Sequence, residues 1–306
     1  MSRPSLDALD AFVHIVQAGS LTAAARQLGL AKSVLSERLA ALEATLGVTL
    51  LRRTTRRLVL TEAGQRWLAQ AKVILEQVDD AMAETLSAAG VVGPLQGRLR
   101  IAAPLSFGAS HLGKLLMPFL AQHRGLQCQV ELDDGVVDLL QGHFDLAVRI
   151  GRLPDSSLVA KRLGVLPRVV CASPDYVRRQ GAPRHTSELR RHEVLGYSHT
   201  GAARLWTFQD ASGEPFVASI GDVRISANNG DMLCDAAVQG LGLVVLPRFI
   251  VARALAAGQL VRVALEAEPM PDGLHLVYPK ERQLPRRTRA VLDHLEHALR
   301  GWLATA

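Results

Sequence analysis

Two glycine breaks divide the first 46 residues of this chain into three short amphipathic helices, and that punctuation leaves few folds open. Leu6, Leu9, Val13 and Val16 recur at helical spacing. Gly19-Ser20 then closes the segment and sets Ser20 as the N-cap of the next one. The second helix, Leu21 to Leu28, carries Thr22-Ala23-Ala24-Ala25, small enough to admit a neighbouring helix, and Gly29 supplies the turn that follows. The third, about Lys32 to Leu46, places Leu35, Leu39, Leu42 and Leu46 on one apolar stripe. Ser33, Ser36, Glu37 and Ala40 project from the other side. A recognition helix needs this division, because only the side turned away from the core can enter a major groove and meet base edges. Lys32, in the first turn, reaches deepest.

Charge supports that reading. The 306-residue chain has a formal charge of +6, and residues 20–66 hold eight basic side chains against Glu37, Glu43 and Glu62, so nearly all of the excess lies there. A solvated basic face is the plainer alternative, but a concentration this local has the footprint of a phosphate-binding surface. Residues 47–61 combine β-branched and apolar positions with Arg52, Arg53, Arg56 and Arg57, which predicts a two-stranded wing on the phosphates or in a narrow minor groove. The expected DNA-binding set is Thr22, Arg26, Lys32, Ser33, Ser36, Glu37, Arg38, Arg52, Arg53, Thr54 and Arg56.

From Thr61 to about Ala89 the pattern is one long helix, with Trp67, Ala71, Ile74, Val78 and Ala81 spaced as a coiled-coil seam. Packing on the protein's own C-terminal domain is the other reading of that stripe. Gly90 to Pro94 ends the helix and marks a domain boundary. Beyond it apolar runs alternate with amphipathic helices: strands near Leu99–Ala103, Cys128–Leu132 and Phe144–Ile150, helices near Ser110–His123 and Val136–Gln141. A second set of strands lies near Arg168–Ala172, Val194–Ser198, Val223–Ser226 and Leu243–Leu246. This alternation predicts mainly parallel sheets covered on both faces.

The fragments Leu9-Asp10-Ala11-Phe12-Val13, Gly19 to Leu28, Leu42-Glu43-Ala44-Thr45-Leu46-Gly47, Arg53-Thr54-Thr55-Arg56 and Leu60-Thr61-Glu62-Ala63-Gly64, in this order and spacing, resemble the signature of LysR-type transcriptional regulators. Arg149-Ile150-Gly151, Cys171 to Tyr176, and Pro104 with Ser106-Phe107-Gly108 look like the CrgA-like subgroup. The fold this implies is α+β overall: a winged helix-turn-helix over 1–61, a linker and dimerisation helix with hinge over 62–93, and a two-lobed α/β effector domain over 94–306, like a periplasmic binding protein. Lobe I would hold 94–163 and 268–306, and lobe II 164–267. The resemblance further implies pairing of linker helices into a homodimer or homotetramer, double-stranded promoter DNA and RNA polymerase as partners, and a small-molecule effector.

Two places suit that effector, because ligands of open α/β sheets sit beyond the strand ends, where helix N-termini offer N–H groups to anions. They are Pro104, Ser106 and Phe107 after the first strand, and Asn228, Asn229 and Asp231 before the helix of Cys234 to Val238. An anionic effector fits both. Arg149 ends a strand near the same cleft and could pair a ligand carboxylate, or equally Asp145 or Asp231 within the chain. His199 is a further candidate beside ordinary surface exposure. The chain departs from the family at Ala31, where Ser or Thr is usual, which removes a cap worth about 1 kcal/mol and lets the third helix start as late as Ser33. Lys32 replaces a frequent Gln, and Glu37 a common basic residue, which predicts an altered base preference with Glu37 accepting from cytosine N4.

Other classes fit less well. There is no G-x-S-x-G, no phosphate-cradling P-loop and no H-E-x-x-H, so no enzyme, metal or cofactor is expected. Cys128, Cys171 and Cys234 lie in apolar runs and read as packing, with a redox pair as the other reading. No segment has the length of apolar residues that a membrane span needs, and a cytoplasmic location is expected. A solute-binding protein would lack the DNA module, and an architectural DNA binder would not need so large a sensor-like half. The expected mechanism is population shift, in which a ligand favouring one lobe arrangement changes the spacing of paired DNA-binding units.

Overall fold

The structure, a computed structural model, describes residues 3–53, 58–89, 93–135, 139, 142, 144–153, 157–198, 206–280 and 284–305. The chain divides into two compact units, Met1–Gly93 and Pro94–Ala306.

The first unit opens with α1 (Leu6–Ala18), α2 (Leu21–Leu28) and α3 (Lys32–Leu46). Ser5 and Ser20 cap the first two by accepting from the backbone N–H groups of Ala8 (3.2 Å) and Ala23 (3.1 Å). Gly19, Gly29 and Gly47 end the three helices at φ 69, 64 and 69°, a left-handed conformation that a side chain would disfavour. Phe12, Ile15, Leu35, Leu42 and Leu50 are fully enclosed, and Ala24 of α2 is buried among them, which is the close approach its small side chain allows. Helix α3 starts at Lys32 even though Ala31 provides no side-chain cap. The wing strands β1 (Leu51–Arg53) and β2 (Leu58–Leu60) pair antiparallel, with Arg52 opposite Val59. Glu43 ties the wing to α3, its Oε1 accepting from the N–H groups of Leu50 (2.7 Å) and Leu51 (3.1 Å).

Helix α4 (Glu62–Ala88) begins where the Thr61 hydroxyl accepts from Gly64 N–H (2.9 Å). A Cβ added at Gly64 would lie 2.1 Å from the Leu50 carbonyl oxygen, so only glycine fits this crossing. The first half of α4 belongs to its own unit: Ala71 is enclosed there, and Trp67 and Ile74 pack against the same core. Of the residues read as a coiled-coil seam, Ala71 is thus enclosed within its own unit, while Trp67 and Ile74 stay half-buried. Helix α1 packs against this stretch, because a 27-residue helix anchored at Gly64 must run its first turns across α1. Farther along, Val78 is half-buried, Ala81 is exposed, and Met82 and Leu86 are exposed large apolar side chains.

The second unit begins with β3 (Gln96–Ala103), a short α5 (Leu105–Phe107), a π-helical turn (Gly108–Leu112) and α6 (Gly113–Gln122). Next come β4 (Gly125–Leu132), β5 (Leu146–Ile150) and β6 (Leu158–Leu166), and then β7 (Arg168–Ala172) and α7 (Pro174–Gln180). The chain continues through β8 (Val194–Tyr197), β9 (Trp206–Gln209), β10 (Pro215–Ala218), β11 (Val223–Ala227), α8 (Gly230–Val238) and β12 (Leu243–Pro247). It ends with α9 (Arg248–Ala256), β13 (Val261–Arg262), β14 (Glu268–Pro269), β15 (Asp272–Pro279) and α10 (Arg286–Leu303). One five-stranded sheet runs β4-β3-β5-β15-β6, the other β11-β8-β12-β7-β13, and a small sheet runs β10-β9-β14.

Both large sheets are mixed rather than mainly parallel. Strands β3, β4 and β5 are parallel, but β15 runs against β5 and β6; β8, β11 and β12 are parallel, but β7 runs against β12 and β13. The antiparallel pairs involve the strands next to the lobe crossovers: β6 and β7 flank the outgoing one, and β15 follows the return. Strand β6 stays in the first sheet to Leu166, pairing with Asp272, so the crossover follows Leu166 rather than residue 163. Likewise β14 still pairs with β9, and the return falls after Pro269 rather than at 268. Most of the helix expected over Val136–Gln141 lies outside the described residues.

Candidate DNA-reading face and effector cleft

The exposed side of α3 carries Lys32, Ser33, Glu37 and Ala40, with Ser36 half-buried, while Leu35, Leu39 and Leu42 face the core. Thr22 and Arg26 of α2 are exposed as well. Arg38 is different. Its guanidinium donates to the Asp7 carboxylate of α1 at 3.0 Å, and its side chain keeps only 29% exposure. That ion pair links α3 to α1 and sets Arg38 apart from Lys32 and Arg26, for which no ion pair occurs among the described residues. In the wing Arg52 is exposed, whereas Thr54 and Arg56 lie outside the described residues.

The cleft residues converge from both lobes. Ser106, only 6% exposed, donates its hydroxyl to Asp231 Oδ2 at 2.7 Å across 125 residues of sequence. Asn229 Nδ2 lies 3.4 Å from Ser106 Oγ and 3.5 Å from Asp134 Oδ2, while its own oxygen caps α8 by accepting from Met232 N–H (3.0 Å). Asp134 in turn accepts from Leu105 N–H at 2.8 Å. Arg149 donates to the Gly135 carbonyl (2.7 Å), and its charge faces Asp133 and Asp134 rather than Asp145 or Asp231. Burial lowers its pKa, and those two carboxylates oppose the shift. Asp145 instead accepts from Arg100 N–H (2.7 Å) and the Thr288 hydroxyl (3.0 Å). The Tyr197 hydroxyl is pushed far up by burial, then by the charge and hydrogen bond of Asp134 and the charge of Asp231.

The N-termini after β3 and β11 are therefore not open to an anion in this arrangement. Asp134 occupies the first and Asn229 the second, with Asp231 beside it, and carboxylates outnumber Arg149 among these residues. Asp134 and Tyr197 were missed in the sequence. The signal was present: Asp133-Asp134-Gly135 directly follows β4, at the same sheet edge as Ser106. Asn228 is exposed, and His199 lies outside the described residues.

Phe107 is not a ligand contact. It is fully buried, edge-on to Phe249 of α9 (5.7 Å between centroids) and Trp302 of α10 (5.2 Å). His111 on the π-turn stacks on Phe107 (5.5 Å) and stands against Phe249 (5.4 Å) and Trp302 (4.8 Å), so this cluster joins helices of both lobes. Burial lowers the His111 pKa, and Lys114 lowers it further. Gly108 permits the packing, since a Cβ there would come within 2.2 Å of Leu132.

Cys171 and Cys234 share one core cluster. Burial pushes their thiols up to about 12 and about 11, and Cys128 to about 11, which keeps all three protonated and poorly nucleophilic. Among the described residues no cluster of His, Cys, Asp and Glu could hold a metal ion, and no single helix is long and apolar enough to cross a membrane.

Known proteins carry the same two parts. Residues 6–65 match the family described as "Bacterial regulatory helix-turn-helix protein, lysR family", and residues 93–300 match the "LysR substrate binding domain". The transcriptional regulator PtxR of Pseudomonas aeruginosa is 37% identical over 295 residues, covering 96% of this chain and 93% of its own. CrgA of Neisseria meningitidis serogroup B is 33% identical over 294 residues, 95% of this chain and 96% of its own. The solved structure of CrgA superposes with a TM-score of 0.58 over 97% of this chain and 99% of its own, at 32% identity. That of the Vibrio cholerae virulence activator AphB gives 0.58 over 95% and 98%, at 26% identity.

Proposed function

The chain belongs to the LysR family of ligand-responsive transcriptional regulators, and from that membership we propose that an effector acts by replacing the Ser106–Asp231 contact across the lobe cleft. The single observation behind this reading is that hydrogen bond, which joins the two lobes at the family's effector position. A ligand that binds one lobe arrangement better shifts the population toward it, and one that binds both equally changes nothing. Because Asp134, Asp231 and Asp133 dominate the cleft, the effector presents hydrogen-bond donors, an amine or hydroxyl, toward the carboxylates. An anionic head would have to displace Asp134 from Leu105 N–H. That supports Pro104, Ser106, Asn229, Asp231, Arg149, Asp134 and Tyr197 as the effector set.

On the DNA side, Lys32, Ser33, Ser36 and Glu37 address the major groove. Arg26 and Thr22 contact the flanking backbone, and Arg52, Arg53, Thr54 and Arg56 lie along the phosphates. The uncapped start of α3 leaves its first N–H groups at the same end. Pairing uses Val78, Met82 and Leu86 on the far half of α4, where large apolar groups stand exposed in the single chain, rather than Trp67 and Ala71. The protein acts in the cytoplasm as a homo-oligomer on promoter DNA, with RNA polymerase as its further partner and without catalysis of its own.

The test is a footprint on a selected promoter fragment without effector. Asp231→Ala breaks the lobe contact and is expected to change the protected length or the pattern of hypersensitive positions. A footprint and affinity identical to those of the unaltered protein would contradict the mechanism.

A further inference from the structure

A cavity that shares no residue with the cleft polar network lies where β7, α9, β13 and β14 meet. It has a volume of about 420 Å³ and is lined by Pro167, Arg168, Val169, Arg248, Leu255, Arg262 and Glu268. That volume is in the range of small-molecule sites. Three arginines and one glutamate are among its lining residues, and the arginines are not equally used. Arg262 pairs with Glu268 at 2.5 Å. Arg168 donates through Nη2 to the Val245 carbonyl (3.3 Å), while its Nε is buried without a hydrogen-bond partner, 3.6 Å from Asp272 Oδ2. Arg248, exposed at the first position of α9, makes no ion pair among the described residues. A buried donor left unsatisfied is costly, and planar guanidiniums bind carboxylate or phosphate oxygens two at a time.

We propose that this cavity is a second ligand site, separate from the effector cleft, that takes a small polyanion bearing carboxylate or phosphate groups through Arg168, Arg248 and Arg262. Its position gives the site a consequence. Pro167 and Arg168 follow β6 on the outgoing crossover, and Glu268 precedes β15 on the return, so a bound anion would tie both hinge segments to α9. Arg248 N–H already donates to the Pro167 carbonyl at 2.8 Å, which holds the first crossover against this helix. An occupant drawing Arg262 from Glu268 would alter the second crossover, and with it the lobe equilibrium on which the cleft acts.

The test is calorimetric titration of the full-length protein with pyrophosphate and, separately, with citrate, against sodium chloride at equal ionic strength. One equivalent per chain is expected for at least one probe. Binding should weaken at least about tenfold in Arg248→Gln, whose guanidinium holds no ion pair of its own, and stay unchanged in the wing variant Arg52→Gln. Binding of pyrophosphate alone assigns a phosphate ligand, and of citrate alone a carboxylate. No binding above the chloride control, or binding that Arg248→Gln leaves intact or that Arg52→Gln weakens equally, overturns the proposal.

Discussion

The face of α3 proposed to read DNA and the proposed effector cleft both place polar side chains near helix N-termini, but they hold them in opposite states. On α3, Lys32, Ser33 and Glu37 are exposed, and no hydrogen bond or ion pair occupies them among the described residues. In the cleft Ser106, Asn229, Asp134 and Asp231 already bond one another across the lobes. On the proposed reading the first surface is left open for DNA. The second has an internal occupant, so a ligand there must outcompete existing contacts and thereby gains leverage over lobe geometry. A smaller contrast separates Arg38, paired with Asp7, from the exposed Arg52 of the wing.

The sharpest way to break this comparison is to damage one unit and watch the other. Gly64→Ala forces a Cβ toward the Leu50 carbonyl, 2.1 Å away. A loss of about 3 kcal/mol is expected in the unit that holds the wing, with DNA binding abolished. Urea unfolding followed at Trp67 and at Trp302 should then separate, the Trp67 transition moving and the Trp302 one remaining. Next in size is Glu37→Ala, expected to relax base preference at one position of each half-site by about 1–3 kcal/mol, read by competition among half-site variants. Unchanged preference at every position would remove Glu37 from the reading face.

Arg52→Ala is expected to weaken binding evenly across sequences and to make the slope of log affinity against log salt shallower by about one for each phosphate that the guanidinium had neutralised. An unchanged slope would place Arg52 away from the DNA backbone. The smallest effect belongs to the regulatory unit. His111 has a depressed pKa in the fold, first from burial and then from Lys114, so the neutral ring is the one that packs between Phe107, Phe249 and Trp302. The stabilisation this gives is present above the unfolded value of 6.5 and is lost as pH falls through the lower folded value. Thermal melts should therefore fall more steeply on acidification in the unaltered protein than in His111→Phe. Parallel pH profiles would show that His111 does not contribute.

The helix-turn-helix was legible because its signals are local: the Ser20 cap, the breaks at Gly19 and Gly29 and the leucine stripe all act within a few residues, although the Ser5 cap of α1 went unread. The strands Arg168–Ala172 and Leu243–Leu246 were legible for the same reason, as short apolar runs between breaks. What the sequence hid depends on distant partners. The seam at Trp67, Ala71 and Ile74 has the right period for pairing, and period alone cannot say whether another helix or the chain's own α1 covers it. Arg38 has the spacing of a DNA contact, but Asp7 lies 31 positions away. Phe107 follows a strand end as a ligand residue would, yet it is claimed by Trp302, near the other end of the chain. The short strands β13 and β14, two residues each, carry too little pattern to be read at all.

The most direct test of a recognition helix on α3 is selection of genomic fragments by the purified full-length protein, followed by footprinting of those it retains. A discrete, two-fold symmetric protected site, whose selection is altered by Glu37→Ala, is the predicted result. Retention that depends on salt but shows no sequence preference, unchanged in that variant, would contradict it and leave a DNA-coating protein with no recognition helix.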